Sequence, residues 1–164
     1  MTIFGILVIV NVNAQESNFG LKAGADFASM KLKAEGDNAS VSETGFYIGA
    51  FAEIAISDSF TFQPEVLYVS IEDLDQIAIP LLAKFPVSEE FNVLVGPALG
   101  IMLDAGDGMK SLNFGAEAGI AYDFSEDFFV EARYNLGLAN LLDGAPSGYS
   151  VKLSGFFVGI GYRL

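Results

Sequence analysis

Nine ionisable side chains, Lys22, Asp26, Glu53, Glu65, Lys84, Glu117, Glu131, Arg133 and Arg163, share one parity with glycines inside alternating runs. Carboxylates and cations gathered on one side of a strand can serve acid–base chemistry or form a closed ion network. Two further carboxylate pairs, Glu89-Glu90 and Glu126-Asp127, have the make-up of an acid–base couple or of calcium ligands. Both pairs stand in short turns, where solvated acidic side chains are the ordinary occupants. Asp104-Ala105-Gly106-Asp107-Gly108 lacks the third acidic ligand and the closing Glu of a calcium loop. The chain has no histidine and no cysteine. That removes His-dependent triads, disulfides, thiolate and imidazole metal sites, and the lipid-modified cysteine of a lipoprotein. The expectation is therefore no enzyme, no catalytic residue, no metal ligand and no cofactor. A net charge of −13 would be repelled by phosphate backbones, so nucleic acid is not an expected partner.

The elements that must position these charges are strands. Period-two alternation runs through eight segments, about 18–33, 44–56, 60–71, 75–85, 91–103, 112–124, 128–138 and 151–164. The sixth is the plainest: Leu112, Phe114, Ala116, Ala118, Ile120 and Tyr122 alternate with Asn113, Gly115, Glu117, Gly119 and Asp123. Segments of roughly 10–14 residues suit a tilted strand crossing a bilayer. Mean hydropathy is +0.44, yet no apolar run approaches the ~20 residues of a spanning helix. A soluble barrel would bury the aliphatic set and show its charges to water. Here the charged set carries too much glycine and too few lysines for a solvated face. The expected fold is all-β, an eight-stranded antiparallel up-and-down transmembrane barrel with the aliphatic face outward. Lys22, Glu53, Glu65, Lys84, Glu117, Glu131, Arg133 and Arg163 then form a lumen charge network, with Lys84, Arg133 and Arg163 meeting carboxylates such as Glu65, Glu117 and Glu131.

Three turns repeat one pattern: Ile56-Ser57-Asp58-Ser59-Phe60, Val87-Ser88-Glu89-Glu90-Phe91 and Phe124-Ser125-Glu126-Asp127-Phe128. They read as hairpin turns at the periplasmic end. Phe60, Phe62, Phe85, Phe91, Phe124 and Phe128, with Tyr122 and Tyr162 near by, would form an interfacial girdle there. The remaining connections, 34–43, 72–74, 104–110 and 142–150, are acidic and are expected outside the cell. Residues 1–14 read as a signal peptide. Ile3 to Val10 supplies its apolar core and Val12-Asn13-Ala14 a small-residue cleavage site, and 15–164 form the barrel domain.

Several strings carry a family resemblance. They are Phe62-Gln63-Pro64-Glu65-Val66-Leu67-Tyr68, Ile77-Ala78-Ile79-Pro80-Leu81-Leu82-Ala83-Lys84-Phe85, Val95-Gly96-Pro97, Glu131-Ala132-Arg133-Tyr134-Asn135-Leu136-Gly137-Leu138 and Gly159-Ile160-Gly161-Tyr162-Arg163-Leu164. In this order they resemble the PorT-type outer-membrane β-barrel family and, more distantly, OmpA- and OmpX-type barrels. The resemblance implies residence in the outer membrane of a diderm bacterium and a link to a secretion or surface apparatus. It also implies an assembly signal at Gly159, Tyr162 and Leu164, read by the barrel-insertion machinery. This sequence departs from the pattern in ending on Leu164 where Phe is usual, and in placing Phe157 where a polar residue is common. Small barrels that are enzymes rely on histidine, which this chain lacks. The expected function is a non-enzymatic integral membrane protein with a side-chain-filled lumen and a structural or docking role. Its expected partners are outer-membrane lipid, the insertion machinery and proteins meeting the extracellular loops. The alternatives are a small-solute pore, against which inward Phe51, Leu67, Leu82, Leu94, Phe129 and Phe157 argue, and a soluble lipocalin- or avidin-like ligand-binding barrel.

Overall fold

In a computed structural model, residues 17–72 and 74–164 are described. Residues 1–14, the expected signal peptide, and Asp73 lie outside them. Eight strands follow in chain order: β1 (Ser17–Ala34), β2 (Asp37–Ser57), β3 (Phe60–Ile71), β4 (Leu74–Pro86), β5 (Phe91–Met102), β6 (Leu112–Asp123), β7 (Phe128–Gly137) and β8 (Ser150–Arg163). Each pairs antiparallel with the next, and β8 returns to β1 from Gly20↔Arg163 to Lys33↔Ser150. The sheet is thus a closed barrel, which leaves no edge strand unpaired.

Alternation decides the two faces. Ile48, Val66, Leu112 and Ile120 are each more than half exposed, while Lys22, Glu65, Glu131 and Arg133 are at most 3% exposed. In water this would be an inverted protein. In a bilayer it is the arrangement that keeps apolar surface in lipid and closes every backbone hydrogen bond within the sheet. The soluble ligand-binding reading fails on the same observation.

At one end the chain reverses through the three Ser-acid turns. Two use one device. Ser88 Oγ accepts from Phe91 N at 3.1 Å, and Ser125 Oγ accepts from Phe128 N at 3.0 Å. The first is a tighter two-residue turn reached through a bulge at Ala55/Ser57. Aromatic rings collect at this end: Phe60 stacks on Phe85, Phe91 packs on Tyr122, and Phe128 lies between Phe124 and Tyr162. Aromatic rings in a row at strand ends, with the amphipathic Tyr122 and Tyr162 among them, suit the level where lipid meets water.

The other, loop end departs from expectation. The 34–43 connection is not a loop. β1 and β2 stay paired to Ala34↔Asp37, and only Glu35 and Gly36, at φ 41° and 93°, turn the chain. Strands β1 and β2 therefore reach 18 and 21 residues, well beyond the expected length. The cause is visible in Asn38-Ala39-Ser40-Val41-Ser42. Above the lipid a strand needs no apolar outer face, so the alternation that marks strands in the bilayer fades while backbone pairing continues. β7 also ends at Gly137, one residue early, and residues 138–149 form the longest connection.

Candidate functional site

The chemistry-bearing residues lie in the lumen as two stacked clusters. The middle cluster centres on two cations. Lys22 Nζ lies 2.6 Å from Glu65 Oε1 and 2.9 Å from Glu131 Oε2. One Arg133 terminal nitrogen lies 2.9 Å from Glu65 Oε2 and 2.9 Å from Glu117 Oε1, and Arg133 Nε is 3.4 Å from Glu131 Oε1. Three carboxylates face two cations, and neutral donors offset the excess. Tyr47 Oη donates to Glu131 at 3.0 Å, Gln63 Nε2 to Glu65 at 2.7 Å, and Asn135 Nδ2 to Glu117 at 3.1 Å. Buried charge is tolerated when most of its lone pairs and protons are matched. Strands β1, β2, β3, β6 and β7 supply the partners here. Glu117 Oε1 and Arg133 Nε are held by ion pairing rather than by hydrogen bonds, and Arg133 Nη2 has no hydrogen-bond partner among the described residues.

The second cluster sits toward the turn end. Glu53 accepts from Lys84 Nζ at 2.8 Å and from Arg163 Nε at 3.0 Å. Arg163 reaches Asp123 at 2.7 Å, and Asn92 Nδ2 donates to the other Asp123 oxygen at 2.9 Å. Phe129 separates the clusters and touches both: Arg163 Cζ is 4.8 Å and Lys22 Nζ 5.6 Å from its ring centre. Together with Phe51, Leu82, Leu94 and Ala121 it makes an apolar floor beneath the middle network. An apolar floor lowers the local dielectric and strengthens the ion pairs above it.

Glycine makes this packing fit. The Phe51 ring lies against Gly20, Tyr47 against Gly24 and Gly159, and Phe129 against Gly161. A methyl on Gly161 would overlap three Phe129 ring atoms, and that ring is held by Phe51 at 5.4 Å between centres. Gly161→Ala is therefore expected to lower stability by about 1–3 kcal/mol. The loss would be read as a shift in the urea midpoint of the refolded barrel. Gly106→Ala, where nothing lies within 4 Å of the added carbon, should leave the midpoint in place.

At the loop end the lumen is stopped by apolar side chains. Leu67, Val69, Ile71, Met102, Leu141, Val151, Leu153 and Phe157 belong to one buried cluster. Leu141 enters from the β7–β8 connection, which folds back over the mouth. Lys110 N donates to Leu141 O at 2.7 Å and Asp143 N to Gly108 O at 2.9 Å, joining the two long loops. Asn140 Oδ1 accepts from Leu142 N and Val151 N and fixes the turn inward. Beneath this cap, a cavity of about 30 Å³ is lined in part by Asp26, Gln76, Asn113, Glu117 and Ser154. Asp26 is 1% exposed and has one carboxylate oxygen without a hydrogen-bond partner among the described residues. It shares the lumen with the networks and joins neither.

The structure thus brings together Lys22, Glu65, Glu117, Glu131 and Arg133 in one place, and Glu53, Lys84 and Arg163 in another. Sequence reasoning missed Tyr47, Gln63, Asn92, Asp123 and Asn135 as their neutral and acidic partners. All five have the inward parity, which is the signal that could have found them. The assembly-signal residues do not share one face: Tyr162 and Leu164 point outward, and Gly159 packs under Tyr47. The turn carboxylates Glu89, Glu90, Glu126 and Asp127 are exposed.

A closed eight-stranded barrel with lipid-facing aliphatics outside and paired charge inside is a transmembrane β-barrel. Residues 6–163 match the outer membrane protein beta-barrel domain, and the chain belongs to that family. It is a protein of the bacterial outer membrane. Among solved structures it is similar to Ail, the attachment invasion locus protein of Yersinia pestis, with TM-score 0.53 and 18% identity over 91% of this chain and 99% of that one. It is similar to Neisserial surface protein A, with TM-score 0.55 and 16% identity over 91% and 99%. A de novo designed transmembrane β-barrel gives TM-score 0.57 and 14% identity over 90% and 95%. At these identities the likeness is one of fold. No curated protein matches the chain.

Proposed function

We propose that the protein is a non-enzymatic integral barrel with a filled lumen, acting as a structural or docking element at the cell surface. The observation that carries this reading is the double stop in the lumen: a packed ion network over an aromatic floor, and an apolar cap folded in from the β7–β8 connection. A continuous wet path, which a small-solute pore needs, would have to break both. The exposed acid pairs lie in turns, and their side chains meet no buried charged partner among the described residues. The order of the strings from Phe62 to Leu164 favours a PorT-type barrel serving a secretion or surface apparatus. On the same ground Gly159, Tyr162 and Leu164 are proposed as the residues read by the insertion machinery.

Two experiments test the reading. Purified protein in a planar bilayer is expected to give no discrete conductance steps, and steady channels would replace the plug with the pore. The native lack of cysteine makes orientation simple to measure. In the proposed orientation, Gly106→Cys in the β5–β6 connection reacts with an impermeant maleimide on intact cells. Glu89→Cys in a Ser-acid turn reacts only after permeabilisation. The opposite pattern would invert the topology.

A further inference from the structure

The eight basic residues of the chain divide sharply. Lys22, Lys84, Arg133 and Arg163 are spent in the lumen. The other four, Lys31, Lys33, Lys110 and Lys152, all stand at the loop end, and three of them share one outward face. The rows of that face follow from the register across β8, β1 and β2. Phe156 and Phe27, beside Thr44, form the last row with apolar side chains, and Ser29 and Ser42 stand in the next. Ser154 has the same parity there, but it is buried and its hydroxyl accepts from Gly137 N. Lys152, Lys31 and Ser40 follow, then Ser150, Lys33 and Asn38. These upper two rows, with Leu32 and Ala39 between them, line a groove of about 500 Å³.

Three features of this face point to an anion. Lys31 and Lys152 are direct cross-strand partners, a like-charge pairing that is unfavourable when nothing bridges it. The side chains of Lys31, Lys33 and Lys152 have no ion pair or hydrogen bond among the described residues. No carboxylate stands in the lysine rows themselves: Asp37 and Glu43 have the opposite parity on β2, and Glu35 lies in the turn beyond Lys33, although the chain is strongly acidic as a whole. Height then selects the kind of anion. Two rows are about 13 Å along a strand and about 9 Å along the membrane normal at the usual tilt. That places the lysines in the headgroup layer above the Phe27/Phe156 row, with stems long enough to lie along the sheet.

We propose that Lys31, Lys33 and Lys152, with Ser40, Ser150 and Asn38 around them, bind the phosphate of a phosphorylated lipid headgroup in the leaflet at the loop end. The extended β8–β1–β2 wall is then a lipid-clamping surface, and Ser29 and Ser42 supply hydroxyl donors between the charged rows and the acyl region. Placing that leaflet outermost rests on the proposed orientation of the barrel, but binding to detergent-held protein does not depend on it, so the two can fail separately.

The test titrates fluorescent lipid A, a phosphorylated glucosamine lipid, into the refolded barrel in zwitterionic detergent. Binding to wild type is expected, with little to dephosphorylated lipid A. Lys31→Gln/Lys33→Gln/Lys152→Gln should bind lipid A about a hundredfold more weakly, the product of roughly fivefold per lysine. The matching triple arginine variant should restore binding, and Lys110→Gln should bind as wild type does. Heat-modifiable mobility on gels reports folding of every variant, and if the glutamine triple does not fold, Lys152→Gln alone should weaken binding about fivefold. Unchanged affinity in the glutamine variants, or equal binding of dephosphorylated lipid A, overturns the proposal. Displacement by inorganic phosphate at equal concentration would leave a free-anion site and overturn the lipid assignment.

Discussion

Arg133→Leu is expected to destabilise the barrel by about 3–5 kcal/mol, among the largest losses of any single substitution in the lumen. Arg133 is 1% exposed and pairs with Glu65 and Glu117 at 2.9 Å, with Glu131 at 3.4 Å. Leucine fills much of the volume but leaves three carboxylates facing Lys22 alone. Removing one partner of a buried network is worse than removing the whole network, because the surviving charge keeps its desolvation penalty. The readout is the urea midpoint of the heat-modifiable band after refolding into detergent. A companion variant separates charge from packing. Arg133→Leu combined with Glu65→Gln and Glu117→Gln should recover part of the loss, since it removes the uncompensated charge as well. If Arg133→Leu alone shifts stability by under about 1 kcal/mol, water must reach the lumen and screen the carboxylates. The plugged reading would go with it.

Val95→Lys is expected to cost about 2–4 kcal/mol in a bilayer. Val95 is 46% exposed on the outer face, and its row runs through Ala83, Ala118 and Tyr134 near mid-barrel. An ammonium there must sit in hydrocarbon or drag water into it. Ile120→Lys makes the comparison. Ile120 is one outward position from Tyr122 in the aromatic row, so its lysine can reach the interface, and a loss of about 0–1 kcal/mol is expected. Refolding into vesicles at graded urea would order the two. Equal effects at both depths, or none at either, would mean that the outward face does not contact lipid as assigned.

Much of this architecture is legible in the residues alone. Leu112 to Asp123 alternates so strictly that both the strand and its two faces follow from it. The Ser-acid turns mark three hairpins, and the excess of glycine on the charged parity places that parity inside. The hairpin above the membrane is not legible in the same way. Residues 38–42 are strand because β1 offers them partners, and a two-residue turn at Glu35-Gly36 sets the register. Neither leaves an apolar trace. The cap is hidden for a related reason: Leu141 looks like any loop leucine until Asn140 turns it into the mouth.

By itself, then, the sequence determined the class of the molecule and the parity of every strand in the bilayer. Those are local properties, set by a side-chain period of two and by the hydrophobic demand of lipid. Tertiary structure alone decided which charges meet. Lys22 and Glu131 are 109 positions apart and become neighbours only when β8 closes on β1. Closure also fixes the stagger that puts Arg133 among three carboxylates and sets Lys31 opposite Lys152. Pairing across a closed sheet is a non-local condition, and no spacing along the chain encodes it.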